Sequence, residues 1–217
     1  MILRQLQQRL AALYDAPAAH DVCDFLISDG AHAARLQGTD GVPPTDEQLL
    51  LAEAEDGVEI ALYVDAGVLE RLGRHCPLRA LDERNLADFL TALEGVSHFH
   101  YFTWSASHAR TVSLLELELQ AEVDKYASAL RLLLEQGKGR FPAGLHERLF
   151  ARSRLRPGLA PSDRSRYAEA HRCAARFCRR LEERFLSPRR ARPEGLLAEL
   201  RAFYRLASVA KLRHATL

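Results

Sequence analysis

The chain has 217 residues, of which 47% are apolar and 27% charged, and a chain of this kind can bury a full core as one large domain or two small ones. No stretch approaches the roughly 18 uninterrupted apolar residues that span a bilayer, and the opening Met1-Ile2-Leu3-Arg4-Gln5-Leu6 lacks the apolar centre of a signal peptide. A cytoplasmic protein with no membrane association is the expectation. The four cysteines, Cys23, Cys76, Cys173 and Cys178, show no framework spacing and are expected as free thiols.

A net charge of +1 conceals a sharp division. Residues 1–137 carry 10 basic and 22 acidic side chains, whereas residues 138–217 carry 20 basic and 7 acidic. Of the basic residues 27 are Arg and three are Lys, a bias that a GC-rich coding sequence produces as readily as phosphate recognition does. Opposite charge on the two parts predicts that they pack together or that one of them meets a charged partner.

Leu3, Leu6, Leu10 and Leu13 recur at helical spacing, so the chain opens on an amphipathic helix ending near Asp15-Ala16-Pro17. The apolar run 22–28 reads as a strand closed by Asp29-Gly30, and 37–46, with two glycines and two prolines, as a loop. Runs 49–55 and 58–64 flank Asp56-Gly57, a pair suited to a tight hairpin turn. In that register Val58, Ile60, Leu62 and Val64 share a face with Glu55, Glu53, Leu51 and Leu49. Asp65 is placed to cap a helix running through Arg74. A second helix over 82–94 would stop at Gly95, and the aromatic run 97–105 reads as a fourth strand. After Val112 the pattern is helical, at about 112–136, 142–150, 162–186 and 193–207. The expected architecture is α+β and predominantly helical. An acidic region 1–111 holds a small antiparallel sheet of about four strands, and a helical region 112–217, basic after 137, packs on it or continues the same domain.

Chemistry-bearing residues fall into three groups. Glu118, Glu122 and Lys125 form a polar stripe on a helix that is otherwise apolar most of the way round. Buried carboxylates need partners, and three outcomes stay open: Arg side chains from the rear helices, a metal or acid/base site, or solvent. His98 and His100, on a strand, would point to one side and could hold a metal with Glu118 or Glu122; the alternative is two packed histidines, and the sequence designates no metal or other cofactor. Cys173 and Cys178, five residues apart on a helix, diverge by about 140° and read with His171 as packed side chains rather than as a metal motif.

The third group is basic. Arg172, Arg176 and Arg179 make a ridge on one helix, with Arg180 beside it. Such a ridge suits either the chain's own acidic part, an acidic protein partner or a second copy, or a phosphate backbone. No Gly-x-Ser-x-Gly, phosphate-loop lysine, Gly-x-Gly-x-x-Gly or His-Glu-x-x-His is present. The leading expectation from sequence is a non-catalytic adaptor or regulator acting through protein–protein interaction. Nucleic-acid binding through the rear arginines is the first alternative, and a metal-dependent enzyme around His98, His100, Glu118 and Glu122 the second.

Overall fold

The computed structural model describes residues 1–38, 45–55, 57–151, 160–186 and 193–216. Most of the 37–46 loop, the breaks near 157 and 188, and Arg152, Arg154, Arg156, Arg189, Arg190 and Arg192 therefore lie outside the described residues. Helices dominate, with a small sheet in the first part of the chain.

Helix α1 (Ile2–Tyr14) buries Leu3, Leu6, Leu10 and Leu13 on one face, as their spacing predicts. It ends at Asp15, whose left-handed backbone (φ 51°) returns its N–H to Ala11 O. The run expected as a strand is instead a 3-10 turn over Val22–Phe25 followed by a two-residue strand β1 (Leu26–Ile27). Asp29 does not close that strand. Its carboxylate accepts from the N–H groups of Ala31 and His32 and so caps a helix, α2 (Gly30–Gln37); Asp-Gly signals a turn as readily as a helix start, so the sequence does not separate the two.

Strands β2 (Glu47–Ala54) and β3 (Gly57–Val64) form the expected hairpin, but the turn is displaced. Gly57 pairs with Ala54 as the first residue of β3, so the connection is Glu55-Asp56, of which Asp56 lies outside the described residues. The register shifts by two positions, with Leu51 opposite Ile60, Leu49 opposite Leu62 and Glu47 opposite Val64. A shift of two keeps every side chain on its face. The sheet order is β1-β3-β2, with β1 parallel and β2 antiparallel to β3. The sheet is thus three-stranded and mixed, not four-stranded and antiparallel.

Helix α3 (Ala66–Arg74) starts on Asp65, whose carboxylate accepts from Gly67 N (2.9 Å) and Val68 N (3.3 Å). The largest departure from expectation follows. Residues 97–105 are not a strand; they belong to α4 (Leu86–Ser107), which runs through Gly95 without interruption. A β-carbon on Gly95 would stand 2.9 Å from Leu62 Cδ1 and 3.1 Å from Glu47 Oε2. This glycine therefore marks where the helix crosses the hairpin at close range, not where a helix stops. Phe89, Leu93, Val96, Phe99 and His100 recur at three- and four-residue spacing and are all buried; this burial outweighs the strand preference of the aromatic run.

Helix α5 (Leu114–Gln136), capped by Ser113 Oγ, lies between α4 and α7 (Pro161–Phe185). The short α6 (Leu145–Phe150) packs on both α5 and α7. Two further helices, α8 (Pro193–Arg205) and α9 (Ser208–Thr216), return to the first part of the chain. Arg201 donates to Leu13 O (3.1 Å) and Arg205 to Asp15 O (2.8 Å), so α8 caps the carbonyl end of α1. One cluster of buried side chains spans both regions, from Leu10 and Leu62 through Tyr126 to Phe177 and Phe203. Among the described residues no helix is long and apolar enough to cross a membrane.

Candidate functional site

The overlap of α4 with the hairpin sets up the main polar cleft. Glu94 and His98, four residues apart, share one face of α4, and Glu118 approaches them from α5. One ligand atom from each of Glu94, His98 and Glu118 lies within 4.8 Å of the others. His98 is 8% exposed. Its Nε2 has no hydrogen-bond partner and stands 3.6 Å from Glu118 Oε2, too long for a hydrogen bond. On the other side of the ring Nδ1 faces Glu47 Oε2 at 3.9 Å. Burial opposes protonation of this imidazole, yet the carboxylates of Glu118, Glu47 and Glu94 outweigh it and raise its pKa to about 9.

A layer of charge supports this group. Lys125 Nζ contacts Glu94 Oε2 at 3.2 Å and pairs closely with Glu122. Glu122 also accepts from His171 Nδ1 at 2.8 Å, while His171 Nε2 lies 2.9 Å from Phe150 O. Both of those acceptors lack a proton to give, so both ring nitrogens donate and His171 is held as an imidazolium. Burial pushes the Glu122 carboxyl up, but Lys125 and His171 together bring it down to about 2. Glu122 is thus partnered by Lys125 of its own helix and by His171 of α7, and not by a rear arginine. Tyr167, on α7, also lines the cleft; burial and the nearby Glu118 carboxylate raise its pKa.

The cleft over this constellation has a volume of about 490 Å³. Leu49 and Leu51 of β2 and Leu114 and Leu117 of α5 line its apolar side. Arg166 reaches it from α7, with Nη1 donating to Asp163 Oδ1 at 3.0 Å and Nε buried with no partner.

Of the sequence candidates, His98, Glu118, Glu122 and Lys125 come together here. His100 does not. On a helix it lies about 200° around the axis from His98, and it is buried in the core near Tyr204, where burial lowers its pKa to about 4. Glu94, Glu47, His171, Tyr167 and Arg166 complete the cleft without having been singled out as site residues. A Glu-x-x-x-His pair at 94 and 98 becomes visible only once the helix is carried past Gly95.

A second polar group lies deeper. Asp124 accepts from Ser97 Oγ (2.6 Å), from Gln120 Nε2 (2.7 Å) and from the Tyr14 hydroxyl. Lys211 of α9, fully buried, donates to Tyr101 Oη (2.6 Å) and Gln120 Oε1 (2.7 Å). Tyr101 in turn donates to Glu116 (2.5 Å). These bonds lock α9 onto α4 and α5, and we read the group as structural.

The arginines divide by role. Arg172, Arg176 and Arg179 are exposed, and among the described residues only Arg179 makes an ion pair, with Glu182 of its own helix at 3.9 Å. The ridge does not lie on the acidic part of the chain. Arg180 leaves it to donate to the carbonyls of Ala215 (3.2 Å) and His214, holding the end of α9. Cys173 and Cys178 are buried, and all four cysteines are free. No family model, curated protein or solved structure matches the chain.

Proposed function

We propose that the chain is a metal-dependent enzyme whose cleft holds one divalent cation between Glu94, His98 and Glu118. The observation that carries this reading is His98 Nε2: buried, without a hydrogen-bond partner, and separated from Glu118 Oε2 by 3.6 Å. Ligand atoms about 2.1 Å from a metal ion lie about 3.0–3.4 Å from one another in tetrahedral or octahedral surroundings; His98 and Glu118 are a few tenths of an ångström from that spacing, and Glu94, within 4.8 Å of both, completes the set by closing on them. Glu47 Oε2 faces the opposite ring nitrogen at 3.9 Å, so a carboxylate stands on the side from which a ligating histidine is commonly oriented, one small shift short of a hydrogen bond. One imidazole and two carboxylates suit Mn²⁺, Fe²⁺ or Zn²⁺, the cation taking the place of the proton that the same carboxylates otherwise hold on His98. Three protein ligands leave positions open for water and substrate, as catalytic sites require.

Such an ion supplies Lewis-acid polarisation and an activated water near neutral pH, which makes hydrolysis the reaction class this set suits. The chain's own residues do the positioning. Lys125 steadies Glu94, and the Glu122–His171 pair steadies Lys125. Elemental analysis after loading with Mn²⁺ or Zn²⁺ and desalting tests the reading: one ion per chain is expected, falling to background in His98→Ala.

A second reading rests on the exposed Arg172, Arg176 and Arg179. Their surface suits an anionic macromolecule, and for nucleic acid the affinity would fall steeply with salt. Titration of a short duplex at two salt concentrations separates this from an adaptor role toward an acidic protein.

A further inference from the structure

The cleft is lined by both charged and apolar side chains, and each kind is in part unengaged. On the polar side the cations are unequally engaged. Lys125 is held by Glu94 and Glu122, and His171 by Glu122 and Phe150 O. Arg166 differs: one terminal nitrogen pairs with Asp163, while its buried Nε donates to nothing. An N–H donor shut away from water without an acceptor is costly, and a guanidinium fork is shaped for an oxyanion. The apolar part of the lining is incompletely covered. Leu51 and Leu114 are large apolar side chains 42% and 56% exposed, and both line the same cleft.

We infer that the substrate is an amphiphile with an oxyanion head, carboxylate or phosphate, bound between Arg166 and the metal position, and an apolar body lying along Leu49, Leu51 and Leu114. This rests on the metal reading for the position of the head, but not for the guanidinium or the leucines. The head pairs with the part of the Arg166 guanidinium that the single bond to Asp163 leaves unengaged, and it offsets the positive charge that a bound cation adds. The body covers leucine side chains that are otherwise wet.

The test is calorimetric binding to the full chain, with and without Mn²⁺, of octanoate, octyl phosphate, acetate, inorganic phosphate and octanol. Mn²⁺ binding is measured separately, so that failure of the metal site is seen on its own. At least one octyl oxyanion should bind about tenfold or more tighter than its short counterpart and than octanol. Whichever octyl compound binds tighter identifies the head group. Arg166→Gln should reduce that ligand to the level of octanol with Mn²⁺ affinity unchanged, and Arg166→Lys should recover part of it. Leu51→Asp should remove the chain-length preference. Equal binding of octanol, equal binding of the short anions, or an Arg166→Gln variant with full affinity would each overturn the inference. If Mn²⁺ does not bind, an Arg166-dependent octyl anion still supports the head-and-body part and refutes only the metal's share.

Discussion

Gly95 of α4 is packed against Leu62 of β3 so closely that a β-carbon at position 95 would stand 2.9 Å from Leu62 Cδ1. The same missing atom keeps α4 near Glu47, which is how a carboxylate from the sheet comes to face His98. Gly95→Ala sets two effects against each other. Helix propensity favours alanine by about 1 kcal/mol, whereas forcing a methyl into this contact costs about 1–3 kcal/mol. The expected outcome is a lower denaturation midpoint together with weaker Mn²⁺ binding. A stabilised variant with unchanged metal affinity would show that α4 has room to spare.

His171→Gln removes an imidazolium that holds Glu122 from one side and donates to Phe150 O from the other. Lys125 would then share Glu122 less firmly and Glu94 would be less well placed. Supporting groups of this kind are worth about tenfold or more in metal affinity. Calorimetry should show that loss in the variant, while His100→Gln, on the far side of α4, should leave metal affinity unaltered even where it costs stability.

Burial lowers the Lys211 pKa to about 7, against the opposing pull of Glu116 and Asp124. Between pH 7 and the ordinary lysine range the unfolded chain therefore binds a proton that the folded chain has released, and stability rises with pH across that window. The groups facing this ammonium are Tyr101 of α4, Glu116, Gln120 and Asp124 of α5, Tyr204 of α8, and Arg110. Asp124 acts in the opposite sense. Burial raises its pKa to about 6, so its contribution is fully present below the ordinary carboxyl range and is lost as pH rises through 6. Urea midpoints at pH 7, 8 and 9 should climb in the wild type relative to Lys211→Met; parallel profiles would contradict the assignment.

The two arginine roles separate by mutation. Arg180→Ala should lower the unfolding free energy by about 1 kcal/mol or more, because two carbonyls at the end of α9 lose their donor. The triple variant of Arg172, Arg176 and Arg179 to Ala should leave the melt within experimental scatter, since surface pairs of this type contribute about 0–1 kcal/mol. A lowered melt in the triple variant would place the ridge in the fold after all.

How much of this was legible depended on which signal dominated locally. Leucine spacing gave α1, the Asp65 cap gave α3, and the apolar repeat after Val112 gave α5. Each has a period or a cap with one meaning. Gly95 and the aromatics that follow it have two: a glycine ends a helix or lets another element approach, and Phe, Tyr and Trp favour strands unless burial on a helix face wins. Only the distance to Leu62 decides between them. The candidate site inherited that ambiguity. Glu118, Glu122 and Lys125 stand on a helix whose apolar repeat is plain in the sequence, whereas strand alternation pairs His98 with His100 and puts Glu94 on a separate element. Arg166 and Tyr167 carried no local signal, since only the packing of α7 on α5 brings them to the cleft.

The account stands most directly on one nitrogen. Mn²⁺ bound to the full chain can be probed by electron–nuclear double resonance, which detects an imidazole nitrogen in the coordination sphere. We expect one bound Mn²⁺ with a ¹⁴N coupling that disappears in His98→Gln, while that variant keeps its helical circular dichroism. Failure to bind Mn²⁺, or a ¹⁴N coupling that survives in His98→Gln, would contradict a metal centre at Glu94, His98 and Glu118.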